Sequence, residues 1–128
     1  VVPCGLLDPY LGLIYASWLR SLRYGNDFFK LTDAKSYYLR YHDYIRGILY
    51  NPECTIRLAL LADDPDVALG WSVSRGHILD YVYVLPPRRH GVGRALIPDG
   101  IDTFTHITWT GAKIWASKFP DWKFNPFA

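Results

Sequence analysis

The stretch LDYVYVLPPRRHGVGRAL, residues 79–96, constrains the fold more than any other part of the chain. Its first half alternates and is rich in β-branched and aromatic residues, the pattern of a strand. Pro86 and Pro87 then stop that strand, because proline has no N–H to give to a ladder. Gly91 and Gly93 follow, and the apolar spacing beyond them reads as the start of a helix. A strand that turns through a short glycine loop directly into a helix leaves that helix little choice but to fold back over the sheet.

The segments before it supply the sheet. From Cys54 onward, CTIRLALLA, VALGWSVS and ILDYVYVL are β-rich runs separated by the turn signals DDPD and RGH, which predicts an antiparallel meander. Upstream, Asp8-Pro9 reads as an N-cap followed by proline in the first turn. Leu11, Ile14, Trp18, Leu19 and Leu22 recur at helical spacing, and Gly25-Asn26 supplies the stop, so a helix is predicted over 8–24. Thr32 or Asp33 caps a second helix over 33–50, with Tyr38, Tyr41, Ile45, Ile48 and Leu49 on one face and Asn51-Pro52 at its end. Downstream, residues 91–104 read as helical with a kink or restart at Pro98. HITWT (106–110) reads as a strand, GAKIWASKF (111–119) as a short helix, and 120–128 as an irregular packed tail. The order describes one α+β domain over residues 1–128, with a mixed, mainly antiparallel sheet, flanking helices and one crossover.

Composition narrows the partners. At 128 residues and 50% hydrophobic, the chain suits a single domain with a substantial core. A net charge of +2 with scattered Lys and Arg gives no basic patch, so no nucleic-acid partner is expected. Cys4 and Cys54 have neither metal-ligand spacing nor a disulfide framework; buried free thiols, and with them a cytoplasmic location, are expected. No run approaches the roughly 18 apolar residues of a membrane span. His77, in the RGH turn, reads as a solvated side chain.

The glycine loop has two physical readings. It is either an ordinary turn into a helix, or a place where backbone N–H groups meet phosphate, with Gly91 and Gly93 allowing close approach and Arg88, Arg89 and Arg94 adding positive charge. Dinucleotide and Walker loops fit poorly, since GVGRAL lacks a third glycine and there is no GK[ST].

Arg88-Arg89-His90-Gly91-Val92-Gly93 resembles R/Q-x-x-G-x-G/A, the pyrophosphate loop of the GNAT superfamily of acyl-CoA N-acetyltransferases, and it stands in the same strand-loop-helix setting. The element order is similar across most of the chain, and compact, divergent chains of this kind also occur in bacteriophage genomes. The resemblance implies acetyl-CoA as acyl donor, held by Arg88 through Gly93 and by Arg94. It also implies pantetheine bound between two splayed strands, on the backbone of Val82 and Val84, with HITWT as the splayed neighbour. The acceptor would be an amine, on a small molecule or on a protein lysine or N-terminus.

Asp80 is the expected base, acting through water and sharing a face with Val82 and Val84 by strand alternation. Trp115 stands where the family often has a tyrosine acid, so Tyr83, with Tyr81 nearby, is the expected substitute. The Tyr83-to-Arg88 spacing is one residue tighter than the common family pattern. Trp115 and the brevity of the segment after it keep a second reading open, a non-catalytic GNAT-like interaction module that could complete its strands as a homodimer.

Overall fold

The computed structural model describes residues 2–3, 8–25, 27–61, 63–85, 91–106 and 108–128. Helix α1 (Asp8–Tyr24) buries Ile14, Trp18, Leu19 and Leu22, the stripe its periodicity predicts. A single turn, α2 (Asp27–Lys30), leads to α3 (Ala34–Leu49). Asp33 caps α3 from an extended backbone, its carboxylate accepting from the Ser36 N–H at 3.0 Å, and that bond holds the carboxyl below its ordinary pKa. Tyr37, rather than the expected Tyr38, takes the core position. It lies two helical repeats before Ile45, and its hydroxyl donates to the Leu19 carbonyl at 2.6 Å, whereas Tyr38 is exposed.

The described strands form one six-stranded sheet in sequence order: β1 (Val2–Pro3), β2 (Cys54–Leu61), β3 (Asp64–Arg75), β4 (Ile78–Val84), β5 (Thr103–Phe104) and β6 (Lys123–Phe124). Strands β1 to β4 pair antiparallel, whereas β4–β5 and β5–β6 are parallel. The fold is α+β with a mixed sheet and the expected three-strand meander, but β3 begins at Asp64, inside the DDPD segment expected to be a turn, and a register irregularity in its pairing with β2 accommodates the early start.

The C-terminal third departs from the expected pattern. The helix expected over 91–104 is only α4 (Val92–Leu96): Ile97 is already extended, Pro98 has no N–H to continue the ladder, and Gly100 turns the chain at a φ of +83°. Residues released by that early stop become β5. The strand expected at 106–110 is therefore displaced to 103–104, and Trp109 instead opens α5 (Trp109–Lys118). The tail is not wholly irregular. Lys123 N–H donates to Asp102 O at 2.8 Å and Asn125 N–H to Phe104 O at 2.9 Å, which adds β6 to the sheet. Strands of two residues are too short for alternation to announce them.

Each face of the sheet has its own apolar cluster. On one, Trp18, Ile45, Leu49, Ile56, Trp71, Val73 and Tyr81 join α1 and α3 to the meander. On the other, Leu79, Ile101 and Phe104 gather Val82, Ile97, Trp115 and Trp122. Cys54 is buried, while Cys4 lies outside the described residues. No helix among the described residues is long and apolar enough to cross a membrane.

Gly70 sets how closely α4 approaches the sheet. A Cβ there would lie 2.6 Å from the Tyr83 carbonyl oxygen and 3.2 Å from Leu96 Cδ1, while the neighbouring Ser72 hydroxyl donates to Leu96 O at 2.7 Å. The closest clash is with backbone, which cannot rotate away. Gly70→Ala should destabilise the protein by about 1–3 kcal/mol in denaturant unfolding; parental stability would show that β3 and β4 separate at little cost.

Candidate functional site

The sheet opens between β4 and β5. These strands pair only at Ile78 with Thr103 and at Leu79 with Phe104, followed by a 3.2 Å bond from Thr105 N–H to the Leu79 carbonyl. Beyond that point the chain leaves the sheet toward α5, while β4 continues to Val84. On its inner side, Leu85 N–H donates to Leu69 O at 2.8 Å. Backbone groups alternate direction in an antiparallel ladder, so Tyr83 and Tyr81 also turn their peptide groups toward β3. Val82 and Val84 direct theirs outward, into the opening. Among the described residues, no strand pairs with Val82 on that side.

A cleft of about 860 Å³ follows this opening, walled by β4, by Phe104 and His106, and by α5, with Gly91, Gly93 and Arg94 also in its lining. Gly91 precedes α4 in the left-handed region, at a φ of +76°, which glycine adopts without strain. Gly93 is different. A Cβ there would meet only Val84 Cγ2, at an ordinary 3.5 Å, so internal packing does not demand glycine. Val92 is half-buried and Arg94 exposed. Arg88, Arg89 and His90 lie outside the described residues.

Asp80 occupies a β-bulge. Ser74 pairs with Leu79 and Val73 with Tyr81, so Asp80 is the extra residue between them. The bulge breaks the alternation that put Asp80 on the face of Val82 and Val84. Its partner Arg75 is cross-strand from Cys54 of the α1–α3 cluster, so the carboxylate lies on that opposite face, with Tyr81. There it is buried, held by Arg75 Nε at 2.7 Å and Nη2 at 2.8 Å, and it accepts from Thr105 Oγ1 at 2.9 Å. Both carboxylate oxygens are engaged. That makes Asp80 an anchor in this geometry rather than an open carboxylate facing water, and a buried charge is tolerable only with such pairing.

His106 was not legible as a site residue from the sequence, where it falls in the expected strand HITWT. Its Nδ1 lies 2.8 Å from Thr105 Oγ1, and its Nε2 is buried without a hydrogen-bond partner among the described residues. The rings of Trp18, Tyr41, Tyr44 and Tyr81 surround it. Burial pushes its pKa down to about 4, against the opposing pull of the Asp80 charge and carbonyl, so the ring is neutral near pH 7. No local motif marks it, because the partner of its neighbour Thr105 is 25 residues away.

The other candidates divide between wall and core. Tyr83 is half-buried in the cleft lining and leans on Trp71 at 6.1 Å. Tyr81 shares a 2.7 Å hydrogen bond with Ser21 Oγ, and burial pushes its hydroxyl up to about 12. Trp115 packs edge-on to Phe104 at 4.9 Å and commits its Nε1–H to Trp122 O at 2.9 Å. Among the described residues, no group of three or more His, Cys, Asp or Glu side chains could hold a metal ion. Compared with known proteins, the chain has no significant match to any family model, curated protein or solved structure.

The buried neutral histidine predicts a pH dependence of stability. Its folded pKa of about 4 lies below its ordinary 6.5, so between those values the unfolded chain binds the extra proton. Its contribution is complete above about pH 6.5 and is lost as pH falls through 4. The Tm of the parent should fall more steeply from pH 7 toward pH 4 than that of His106→Gln, and equal slopes would contradict the burial of a neutral ring.

Proposed function

We propose that the protein is an acyl-CoA-dependent N-acyltransferase of GNAT-like fold, which transfers an acetyl group from acetyl-CoA to an amine. One observation carries this reading: β4 parts from β5 with the Val82 peptide facing a cleft whose lining also includes Gly91, Gly93 and Arg94. A pantetheine arm is extended and carries amides, so an open strand edge suits it as a peptide strand would. Val82 and Val84 are the backbone positions directed toward it. The segment from Arg88 to Gly93, which follows β4 in the sequence, would receive the pyrophosphate. Since α4 has only five residues, the split sheet supports the reading more strongly than a helix terminus does.

Gly93 adds independent support, because the fold has room for a Cβ where the sequence keeps none. A ligand lying against that backbone would account for the glycine. Transfer itself forms an amide C–N bond and breaks the thioester C–S bond, with a proton passing from the amine to the departing thiolate. Tyr83, in the cleft wall, is the candidate donor to that thiolate.

Calorimetric and thermal-shift titrations with acetyl-CoA and CoA test the assignment. Ligand at about a hundred times its Kd should stabilise the protein by about 2.7 kcal/mol. Gly93→Val should keep most of the unliganded stability and lose this response, because branched methyls would occupy the ligand's approach. No shift of the parent at millimolar acetyl-CoA would overturn the proposal. Binding without thiol release across polyamines, amino acids, aminoglycosides and lysine peptides would favour a non-catalytic acyl-CoA-binding module.

A further inference from the structure

Hydrogen bonds link β3, β4 and the segment after β5 into a chain that acyl-CoA binding does not require. Arg75 holds both oxygens of Asp80, Thr105 donates to Asp80 Oδ1, and His106 Nδ1 lies against the Thr105 oxygen. A hydroxyl has one proton. Because Thr105 commits its proton to the carboxylate, its oxygen can only accept from His106, and Nδ1 is therefore the protonated ring nitrogen. Nε2 is left with a lone pair and has no partner among the described residues, although it is buried. Buried polar atoms ordinarily find a partner. A ring nitrogen fixed in one tautomer, with its lone pair uncommitted and its residue in the wall of a cleft, has the arrangement of a proton acceptor.

We propose that His106 Nε2 is the general base that takes the proton of the attacking amine, with Thr105 and Asp80 as positioning residues. The assignment rests on the acyl-transfer reading of the cleft. As the amine nitrogen bonds to the thioester carbonyl carbon and the C–S bond breaks, the amine proton passes to Nε2 while Tyr83 protonates the departing thiolate sulfur, and exchange with solvent then returns Nε2 to its neutral state and restores the Tyr83 proton. The histidine ends as it began. While it carries the proton, the Asp80 carboxylate lies one hydroxyl away and stabilises the imidazolium.

Trp18 Nε1 is also buried without a partner among the described residues, on a ring packed edge-on to His106 with centroids 5.4 Å apart. The titratable groups facing His106 are Tyr41 and Tyr44 from α3, Tyr81 and Asp80 from β4, and Arg75 from β3. Burial raises all three tyrosines, so only Asp80 and Arg75 carry charge there near neutral pH.

Two measurements on the whole protein test the assignment. Long-range proton–nitrogen NMR correlation of the unliganded parent should find His106 protonated at Nδ1 and bare at Nε2 near neutral pH. An Nε2-protonated ring would overturn the assignment, and this readout does not depend on any variant folding. In the amine assay, His106→Gln should lower kcat by roughly 10²- to 10⁴-fold while acetyl-CoA affinity is kept. Thr105→Val should lower kcat with little change in KM and should release the single tautomer. Parental kcat in a folded His106→Gln would remove the residue from the chemistry. Failure of the parent to bind acetyl-CoA would instead overturn the acyl-transfer reading and the base role with it, whereas intact binding with the wrong tautomer would overturn the base assignment alone.

Discussion

The Arg75–Asp80 ion pair, with the Thr105 hydroxyl as its third member, is the interaction on which the rest of the site depends. Burying a carboxylate is costly, and the two guanidinium bonds and the hydroxyl bond offset that cost only while all three groups hold their places. Those places belong to β3, to a bulge in β4, and to the residue directly after β5. The pair therefore fixes the point at which β4 and β5 stop pairing. It also ties the first residues of the diverging chain to the sheet, so the opening begins at a defined residue instead of fraying from the strand ends.

The two faces of the sheet contribute unequally to that opening. On the α1–α3 face, the rings of Trp18, Trp71 and Tyr81 pack with centroids 5.1 to 5.6 Å apart, and Trp71 Nε1–H donates to Ser17 Oγ at 2.7 Å. Such a layer resists deformation because any shift opens voids among large rings. It supports the β4 backbone from behind and presents His106 at its edge. The opposite face is thinner, with Leu79, Ile101 and Phe104 as its buried centre and Trp115 and Trp122 only half-buried. A cleft between a rigid wall and a thinner one can admit an extended ligand without disturbing the main core.

Legibility in the sequence followed the length of each pattern. Helix α1 and the three long strands repeat their period several times, so their stripes and turns were readable. Strands β5 and β6 complete no more than one period each, and residues 91–104 looked helical because apolar spacing outweighed the Pro98 and Gly100 signals that in fact end α4. Asp80 was identifiable as a residue of interest, but its face was not, because a bulge inverts the alternation from which that face was inferred. His106 was harder still. Its partners come from α1, α3 and β4, and only the closed fold assembles them.

On the proposed reading, an extended, amide-bearing acyl donor would lie along the outer edge of β4. Residue-resolved amide hydrogen exchange, with and without acetyl-CoA, tests this placement most directly. The Val82 amide, which faces the opening with no strand paired to it among the described residues, should gain protection when acetyl-CoA is added. The Tyr81 and Tyr83 amides, already directed to β3, should change little. Protection confined to other parts of the chain, with Val82 exchanging as fast as before, would contradict the account.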